Sequence, residues 1–175
     1  VVFDAGRERI ARLLERKSVL QRVAAGERLD VQLIAANVDT AFIVTSCNAD
    51  FNPARLERYL ALSAEAGTEA VILLTKADTS KDAESYREQA QKLSRNLTVL
   101  ALDARDPAVA LTLGPWCRDG QTVALLGTSG VGKTTLTNTL TGLAAPTGPI
   151  RESDARGRHT TTIRSLHAMS GGGWL

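Results

Sequence analysis

The chain has 175 residues, of which 43% are hydrophobic and 23% charged, and its formal net charge of +2 permits a polyanionic partner without requiring one. This is the composition of an ordinary soluble protein with enough apolar material for one core, and no apolar stretch is long enough to span a bilayer. Because there is no signal-peptide pattern, and Cys47 and Cys117 show neither metal nor disulfide spacing, we expect a cytoplasmic protein with reduced thiols and no membrane partner.

Apolar runs alternate with amphipathic stretches along the chain. Residues 7–23 fit either two short strands or one amphipathic helix, and their pattern leaves both open. Beyond them the pattern predicts strands over 38–46, 70–74, 97–102, 121–126 and 163–169, and helices over 53–66, 83–93, 107–113 and 136–140. Asn52 and Pro53 are typical of a helix start, and Gly67 of a helix end. Strands separated by helices predict an α/β fold with a largely parallel sheet and helices on both faces.

A complete phosphate-binding motif, G-x-x-x-x-G-K-[ST], runs from Gly127 to Thr134. An apolar strand precedes it and a helix-like stretch follows, which argues against a Gly-rich turn that matches by chance. Its glycines let backbone N–H groups converge on phosphates at the positive end of the helix dipole. Lys133 would reach the outer phosphates as a catalytic residue, and the Thr134 hydroxyl would bind Mg²⁺. We assign nucleotide binding to Gly127, Thr128, Ser129, Gly130, Val131, Gly132, Lys133, Thr134 and Thr135.

A second motif, T-K-A-D from Thr75 to Asp78, directly follows an apolar run and fits the [NT]-K-x-D loop with which GTP-binding proteins recognise guanine. The Asp78 carboxylate would accept hydrogen bonds from N1–H and the 2-amino group of guanine, a pair of donors that adenine lacks. The stem of Lys76 would lie over the base. Such tetrapeptides are also common in surface turns, but the independent phosphate loop favours the functional interpretation. After the next strand, Asp103 and Ala104 would support the base through backbone N–H groups, or form a plain turn.

The guanine loop precedes the phosphate loop, whereas ordinary GTPases have the reverse order, so the chain looks circularly permuted. Farther on, residues 144–153 are rich in Gly and Pro and predict a mobile loop, which leads to G-R-H-T-T-T over 157–162. Thr160 or Thr161 would complete the Mg²⁺ shell and sense the γ-phosphate. His159 would position water or act as a base in catalysis, or would only hydrogen-bond within the loop.

With these motifs in place, the chain resembles the RsgA (YjeQ) family of circularly permuted GTPases, which act in small ribosomal subunit biogenesis. The matching segments are 32–39, 75–78, 127–134 and 157–162. The resemblance implies a GTPase that uses GTP, GDP and Mg²⁺, docks on the small ribosomal subunit and its rRNA, and is stimulated there; we expect a monomer. The alternative is a nucleotide-regulated RNA-binding module with little or no hydrolysis. That alternative is favoured by the arginines around the predicted switch: Arg151, Arg156, Arg158 and Arg164.

The resemblance also implies a domain organisation. Residues 1–30 look like the end of the family's N-terminal OB-fold domain, and residues 31–175 like its permuted GTPase domain. The family's D-x-P-G element, which contacts Mg²⁺ and the γ-phosphate, is expected to follow Leu175. A zinc-binding C-terminal domain would come after it, so zinc is expected only outside this chain, which looks like a fragment of a longer protein. Two residues depart from the family's pattern: Thr75 stands where Asn is usual, and Asp103 where Asn or Ser is frequent.

Overall fold

A computed structural model describes residues 2–3, 10–23, 31–146 and 165–175. The first elements are two antiparallel strand pairs. In chain order these strands are β1 (Val2–Phe3), β2 (Ile10–Arg12), β3 (Val19–Val23) and β4 (Val31–Ala36). β1 pairs with β2, and β3 pairs with β4. The described part of 7–23 therefore contains strands and no helix, which is the first of the two possibilities that the pattern left open.

The centre of the fold is a sheet of four parallel strands. In chain order they are β5 (Thr40–Ser46), β6 (Glu69–Thr75), β7 (Thr98–Ala101) and β8 (Val123–Leu126). Their order in space is β7-β6-β5-β8. Every residue of β5 is buried, as expected for a central strand that is covered on both faces. All four strands were predicted, with ends that differ by one or two residues.

Helices follow each of these strands. They are α1 (Pro53–Ala66), α2 (Ala83–Gln91), α3 (Ala108–Thr112) and α4 (Lys133–Thr141). Both ends of α1 agree with the prediction, because each end is capped by a residue directly beside the helix. The Asn52 side chain accepts a 3.0 Å hydrogen bond from the backbone N–H of Arg55, and Gly67 ends the helix with a left-handed φ of 70°.

The helices cover both faces of the sheet. Successive residues of a strand point to opposite faces, and two apolar clusters separate accordingly. Phe42 and Val44 of β5 belong to a cluster with Leu136 of α4, whereas Ile43 belongs to a second cluster with Leu56 of α1. α3 adds to the first cluster and α2 to the second. The predicted α/β fold, with a parallel sheet and helices on both faces, is therefore confirmed.

The last described segment returns to the start of β8, where Trp174 pairs in parallel with Thr122. The strand predicted over 163–169 is wrong for the part that the structure describes, which has one isolated bridge, at Ala168. The reason lies in the glycines that follow. Gly172, with a φ of 92°, reverses the chain so soon that this stretch meets only residues 173–175, through backbone hydrogen bonds of His167 with Leu175 and of Met169 with Gly173 around the Ala168–Trp174 bridge.

The predicted domain boundary after residue 30 falls between β3 and β4, which pair with each other. The division of the chain into an OB-fold remnant and a GTPase domain stays a prediction. Among the helices that the structure describes, none is long and apolar enough to cross a membrane. Residues 147–153 of the predicted mobile loop lie outside the described residues.

Candidate functional site

The carboxyl ends of the four parallel strands meet at one edge of the sheet, so the loops that follow them are neighbours. Three of these loops contain predicted site residues: 127–132 after β8, 76–79 after β6 and 102–105 after β7. The fourth loop, 47–52 after β5, carries no motif. The topology thus brings distant segments together at the edge where open α/β sheets bind ligands.

The loop after β8 follows a backbone path that depends on glycine. Gly127, Gly130 and Gly132 have φ values of 152°, 80° and 95°. A Cβ atom on Gly127 would overlap the backbone carbonyl oxygen of Val44 in β5. Ser129 and Gly130 form the exposed tip of the loop. Because Gly132 directly precedes α4, the unpaired backbone N–H groups of the first helical turn lie at this loop.

Lys133, the first residue of α4, lies half-buried across the loop. Its Nζ donates a 2.9 Å hydrogen bond to the carbonyl oxygen of Gly127 and another to that of Thr128. Burial lowers the pKa of this amine, and the negative charge of Asp50 works in the opposite direction. A phosphate at the helix N-terminus would give the ammonium group an anionic partner in place of neutral carbonyls.

Two side chains connect the loop after β6 with the loop after β8. The buried hydroxyl of Thr75 donates a 2.6 Å hydrogen bond to the carbonyl oxygen of Val131, 56 positions away. Lys76 Nζ donates a 3.0 Å hydrogen bond to the carbonyl oxygen of Gly130. Lys76 itself has a left-handed φ of 58° and starts the 3₁₀ turn Ala77–Thr79. The two predicted motifs are therefore joined into one structural unit.

A cavity of about 260 Å³ opens between these two loops and the loop after β7. Its lining residues are Thr75, Lys76, Thr79, Asp103, Ala104, Arg105, Gly132 and Thr135. Thr79 and Arg105 are the two members that the sequence analysis did not single out. A larger concavity of about 520 Å³ lies at the opposite edge of the sheet, beside Glu69 and Trp116, and contains no predicted site residue. The smaller cavity is the candidate site, because the strands' carboxyl ends build it.

Asp78 and Asp103 share a cationic partner beside this cavity. Arg105 Nη2 donates a 2.6 Å hydrogen bond to Asp78 Oδ2, and Arg105 Nε donates a 2.9 Å hydrogen bond to Asp103 Oδ1. The hydrogen bonds from Arg105 hold the pKa of the Asp103 carboxyl below its usual value. Both aspartates were predicted from the sequence but the arginine was not, because the proposed motif ends at Ala104.

The loop after β5 contributes a second polar cluster that the sequence analysis missed. Asp50 Oδ2 accepts a 2.9 Å hydrogen bond from the Thr128 hydroxyl, and Asp50 Oδ1 lies 3.1 Å from Nη1 of Arg55. The same Arg55 nitrogen donates a 3.3 Å hydrogen bond to Thr128 Oγ1. The phosphate loop is thereby braced from α1. Asp50 could have been found from its position in the sequence, because a polar residue just after a buried strand lies at the same edge of the sheet as the two motifs.

Three predicted site residues, His159, Thr160 and Thr161, lie outside the described residues, so their roles stay predictions. Thr134 is exposed in the first turn of α4, and its hydroxyl oxygen is a hard donor of the kind that Mg²⁺ prefers. Within the described ranges, no group of three His, Cys, Asp or Glu side chains could hold a metal ion.

Comparison with known sequences gives one consistent result. The family model for the RsgA GTPase matches residues 13–175. The chain is 64% identical over 170 residues to the small ribosomal subunit biogenesis GTPase RsgA of Mesorhizobium japonicum. It is 55% identical over 166 residues to the small ribosomal subunit biogenesis GTPase RsgA 2 of Vibrio vulnificus. These alignments cover 95% and 94% of the chain but 49% and 48% of the relatives, so the chain spans about half of their length.

Two solved structures share the fold. YjeQ from Thermotoga maritima superposes with a TM-score of 0.64 at 20% identity, over 93% of this chain and 51% of that one. YloQ, described as a circularly permuted GTPase, superposes with a TM-score of 0.55 at 19% identity, over 97% of this chain and 58% of that one. At these identities the likeness is one of fold. It agrees with the order of the loops here, in which the T-K-A-D loop precedes the phosphate loop.

Proposed function

The chain belongs to the RsgA GTPase family, and on this basis we propose that it binds guanine nucleotides and hydrolyses GTP as a factor in small ribosomal subunit biogenesis. The main support is the hydrogen bond from Thr75 to Val131, because it joins the predicted base loop to the predicted phosphate loop beside one cavity. The ribosomal context comes from the names of the relatives.

Asp78 would select guanine over adenine. Its carboxylate offers acceptors to N1–H and to the 2-amino group, whereas adenine presents no such pair of donors. Lys76 is held by its hydrogen bond to Gly130, so its aliphatic stem lies beside the cavity that the base would occupy. Asp103 and Ala104 line the same cavity from the loop after β7, where their backbone would support the base.

The phosphates would lie on the loop 127–132, where backbone N–H groups and the start of α4 offer positive partial charge. Lys133 would exchange its carbonyl partners for phosphate oxygens and stabilise the negative charge that develops during phosphoryl transfer. Mg²⁺, when bound, neutralises charge on the outer phosphates. Thr134 would hold the ion, together with Thr160 or Thr161.

Hydrolysis also requires a water molecule placed in line with the γ-phosphate. We assign this role to His159, because an imidazole titrates near neutral pH and its lone pair can orient or deprotonate water. The proposed partners are the small ribosomal subunit and its rRNA, and the proposed location is the cytoplasm, with the chain acting as a monomer. Residues 1–30 would belong to an OB-fold domain and residues 31–175 to the GTPase domain.

The test is release of phosphate from GTP by the full-length protein that contains this chain and by its Lys133→Ala variant, each with and without purified small ribosomal subunits. We expect release by the wild type that rises with added subunits and is absent in the variant. A His159→Ala variant should lose the part that the subunits stimulate. GTP binding without phosphate release in either condition would instead support the nucleotide-regulated RNA-binding module.

A further inference from the structure

Arg105 bridges two aspartates that stand after neighbouring strands. Its Nη2 lies 2.6 Å from Asp78 Oδ2 and 3.0 Å from Asp103 Oδ2, and its Nε lies 2.9 Å from Asp103 Oδ1. The side chain of Arg105 is 67% exposed, whereas those of Asp78 and Asp103 are 30% and 29% exposed. The guanidinium group therefore covers two partly buried carboxylates from the solvent side.

The position of this bridge is fixed by the backbone of the loop after β7. Asp103 Oδ1 accepts a 3.0 Å hydrogen bond from the backbone N–H of Arg105 as well as the bond from Nε. The carboxylate thus closes the turn that presents the arginine. Two parallel contacts from Arg105 to Asp103 then orient the plane of the guanidinium group. Asp103 and Arg105 form one unit, and the remaining contact of that unit is with Asp78.

The charges beside the cavity explain why a bridge is needed. The charged residues that line the cavity are Lys76, Asp103 and Arg105, and the Lys76 ammonium already donates to the carbonyl oxygen of Gly130. Without Arg105, the carboxylates of Asp78 and Asp103 would lie near each other with no described cation bonded to either. Repulsion between neighbouring like charges favours a rotated position of one carboxylate. Such a rotation would remove an acceptor that guanine requires.

A bridged Asp78 keeps enough acceptors for a base. Each carboxylate oxygen offers two acceptor positions, so the contact of Arg105 with Oδ2 leaves Oδ1 and one position on Oδ2. The N1–H and 2-amino groups of guanine need two. Arg105 and guanine are therefore compatible partners of the same carboxylate.

We propose that Arg105 is a positioning residue for guanine recognition, which orients the Asp78 carboxylate, and that it is required because Asp103 stands beside Asp78. Since Asp78 is assigned to guanine by the proposed function, the role of Arg105 rests on that function and deepens it. A neutral residue at position 103 would remove the need for a cation.

The test is a double-mutant cycle of Arg105→Ala and Asp103→Asn, in which calorimetry gives the Kd of each protein for GDP and for inosine diphosphate. Inosine diphosphate lacks the 2-amino group, so the ratio of the two affinities reports the contact with Asp78. We expect Arg105→Ala to weaken GDP binding about two- to fivefold, the range of an exposed ion pair, and to lower this ratio. In a protein that already carries Asp103→Asn, Arg105→Ala should weaken GDP binding less than about twofold. Arg105→Lys should recover part of the loss.

The matched control is Arg118→Ala, which removes the same charge at the opposite edge of the sheet and should leave both affinities unchanged. Melting temperatures without nucleotide check that each variant is folded. Tighter GDP binding by Arg105→Ala would overturn the inference, because Arg105 would then compete with the base. Equal losses with and without Asp103→Asn, or no loss at all, would also overturn it. Failure of the wild-type chain to bind GDP would overturn the proposed function itself.

Discussion

The hydroxyl of Thr75 donates a 2.6 Å hydrogen bond to the backbone carbonyl oxygen of Val131, and both residues are buried. The bond fixes the loop after β6 against the loop after β8, so it sets the spacing between the base-binding and phosphate-binding parts of the proposed site. What this position requires is a short side chain with a hydrogen-bond donor. Threonine meets that requirement with its hydroxyl group.

Replacing Thr75 with valine should therefore cost both stability and nucleotide affinity. Valine keeps the shape of threonine but leaves the buried Val131 carbonyl without this partner, which we expect to lower the free energy of unfolding by about 1–2 kcal/mol. Urea unfolding measures this loss, and GDP titration measures the accompanying fall in affinity. Thr75→Ser keeps the donor and should lose less. Equal stability of the valine variant and the wild type would show that the bond contributes nothing.

Gly127 should be sensitive to the addition of a single methyl group. Its Cβ would overlap the carbonyl oxygen of Val44, so Gly127→Ala has to move the loop or the strand, and we expect a loss of about 2–3 kcal/mol in the free energy of unfolding. GDP binding should be lost with it. Gly142→Ala is the matched control, because Gly142 also has a positive φ, of 72°, but nothing within 4 Å of the new Cβ. Similar losses at both positions would contradict the role of the close approach.

Lys133 should contribute to nucleotide binding but lower the stability of the nucleotide-free chain. Burial lowers the pKa of its amine, so the protonated form is less favourable in the folded chain than in the unfolded chain. This penalty applies below the lowered pKa and vanishes as the pH rises towards the amine's ordinary value. Lys133→Met should therefore abolish GDP binding without lowering the melting temperature of the nucleotide-free chain at pH 7.

The same variant provides a pH test. Any gain in melting temperature from Lys133→Met should shrink between pH 7 and pH 10, because the wild-type amine loses its proton in that direction. Lys92→Met, at an exposed lysine, is the control and should show no such trend. A large fall in melting temperature at pH 7 for Lys133→Met would mean that the amine stabilises the loop even without a phosphate.

Asp78 should determine the choice of base. Asp78→Asn replaces one acceptor with an amide donor, which suits the 2-carbonyl group of xanthine better than the 2-amino group of guanine. We expect GDP affinity to fall more than about tenfold, as for a lost hydrogen bond to a charged group, while affinity for xanthosine diphosphate rises. Calorimetry with both nucleotides checks this. Asp82→Asn, at the exposed residue before α2, should bind GDP like the wild type, and unchanged GDP selectivity of Asp78→Asn would refute base reading by Asp78.

Most of the fold could be predicted from local patterns in the sequence. The ends of α1 were predictable because Asn52 and Gly67 cap it with contacts inside the same short segment. The strands were predictable because apolar runs of limited length alternate with helices. The strand predicted over 163–169 was wrong in its described part. Pairing depends on a partner strand, and the turn at Gly172 brings back only the three residues 173–175.

Two of the residues that could not be predicted from the sequence have one property in common. Asp50 and Arg105 act on residues that follow other strands, Thr128 and Asp78. Such contacts depend on the spatial order β7-β6-β5-β8, which places each loop beside the loop of the neighbouring strand. Motif spacing within one loop holds no information about them. The phosphate loop and the T-K-A-D loop could be found because each has its own pattern.

Selective binding of guanine nucleotide at the joined loops is tested most directly by calorimetric titration of the chain with GDP and with ADP, in a buffer that contains Mg²⁺. We predict saturable binding of GDP at a single site and no measurable heat of binding with ADP. The Lys133→Ala variant should bind neither nucleotide. Equal binding of ADP and GDP by the wild-type chain would contradict the assignment of Asp78 to guanine recognition.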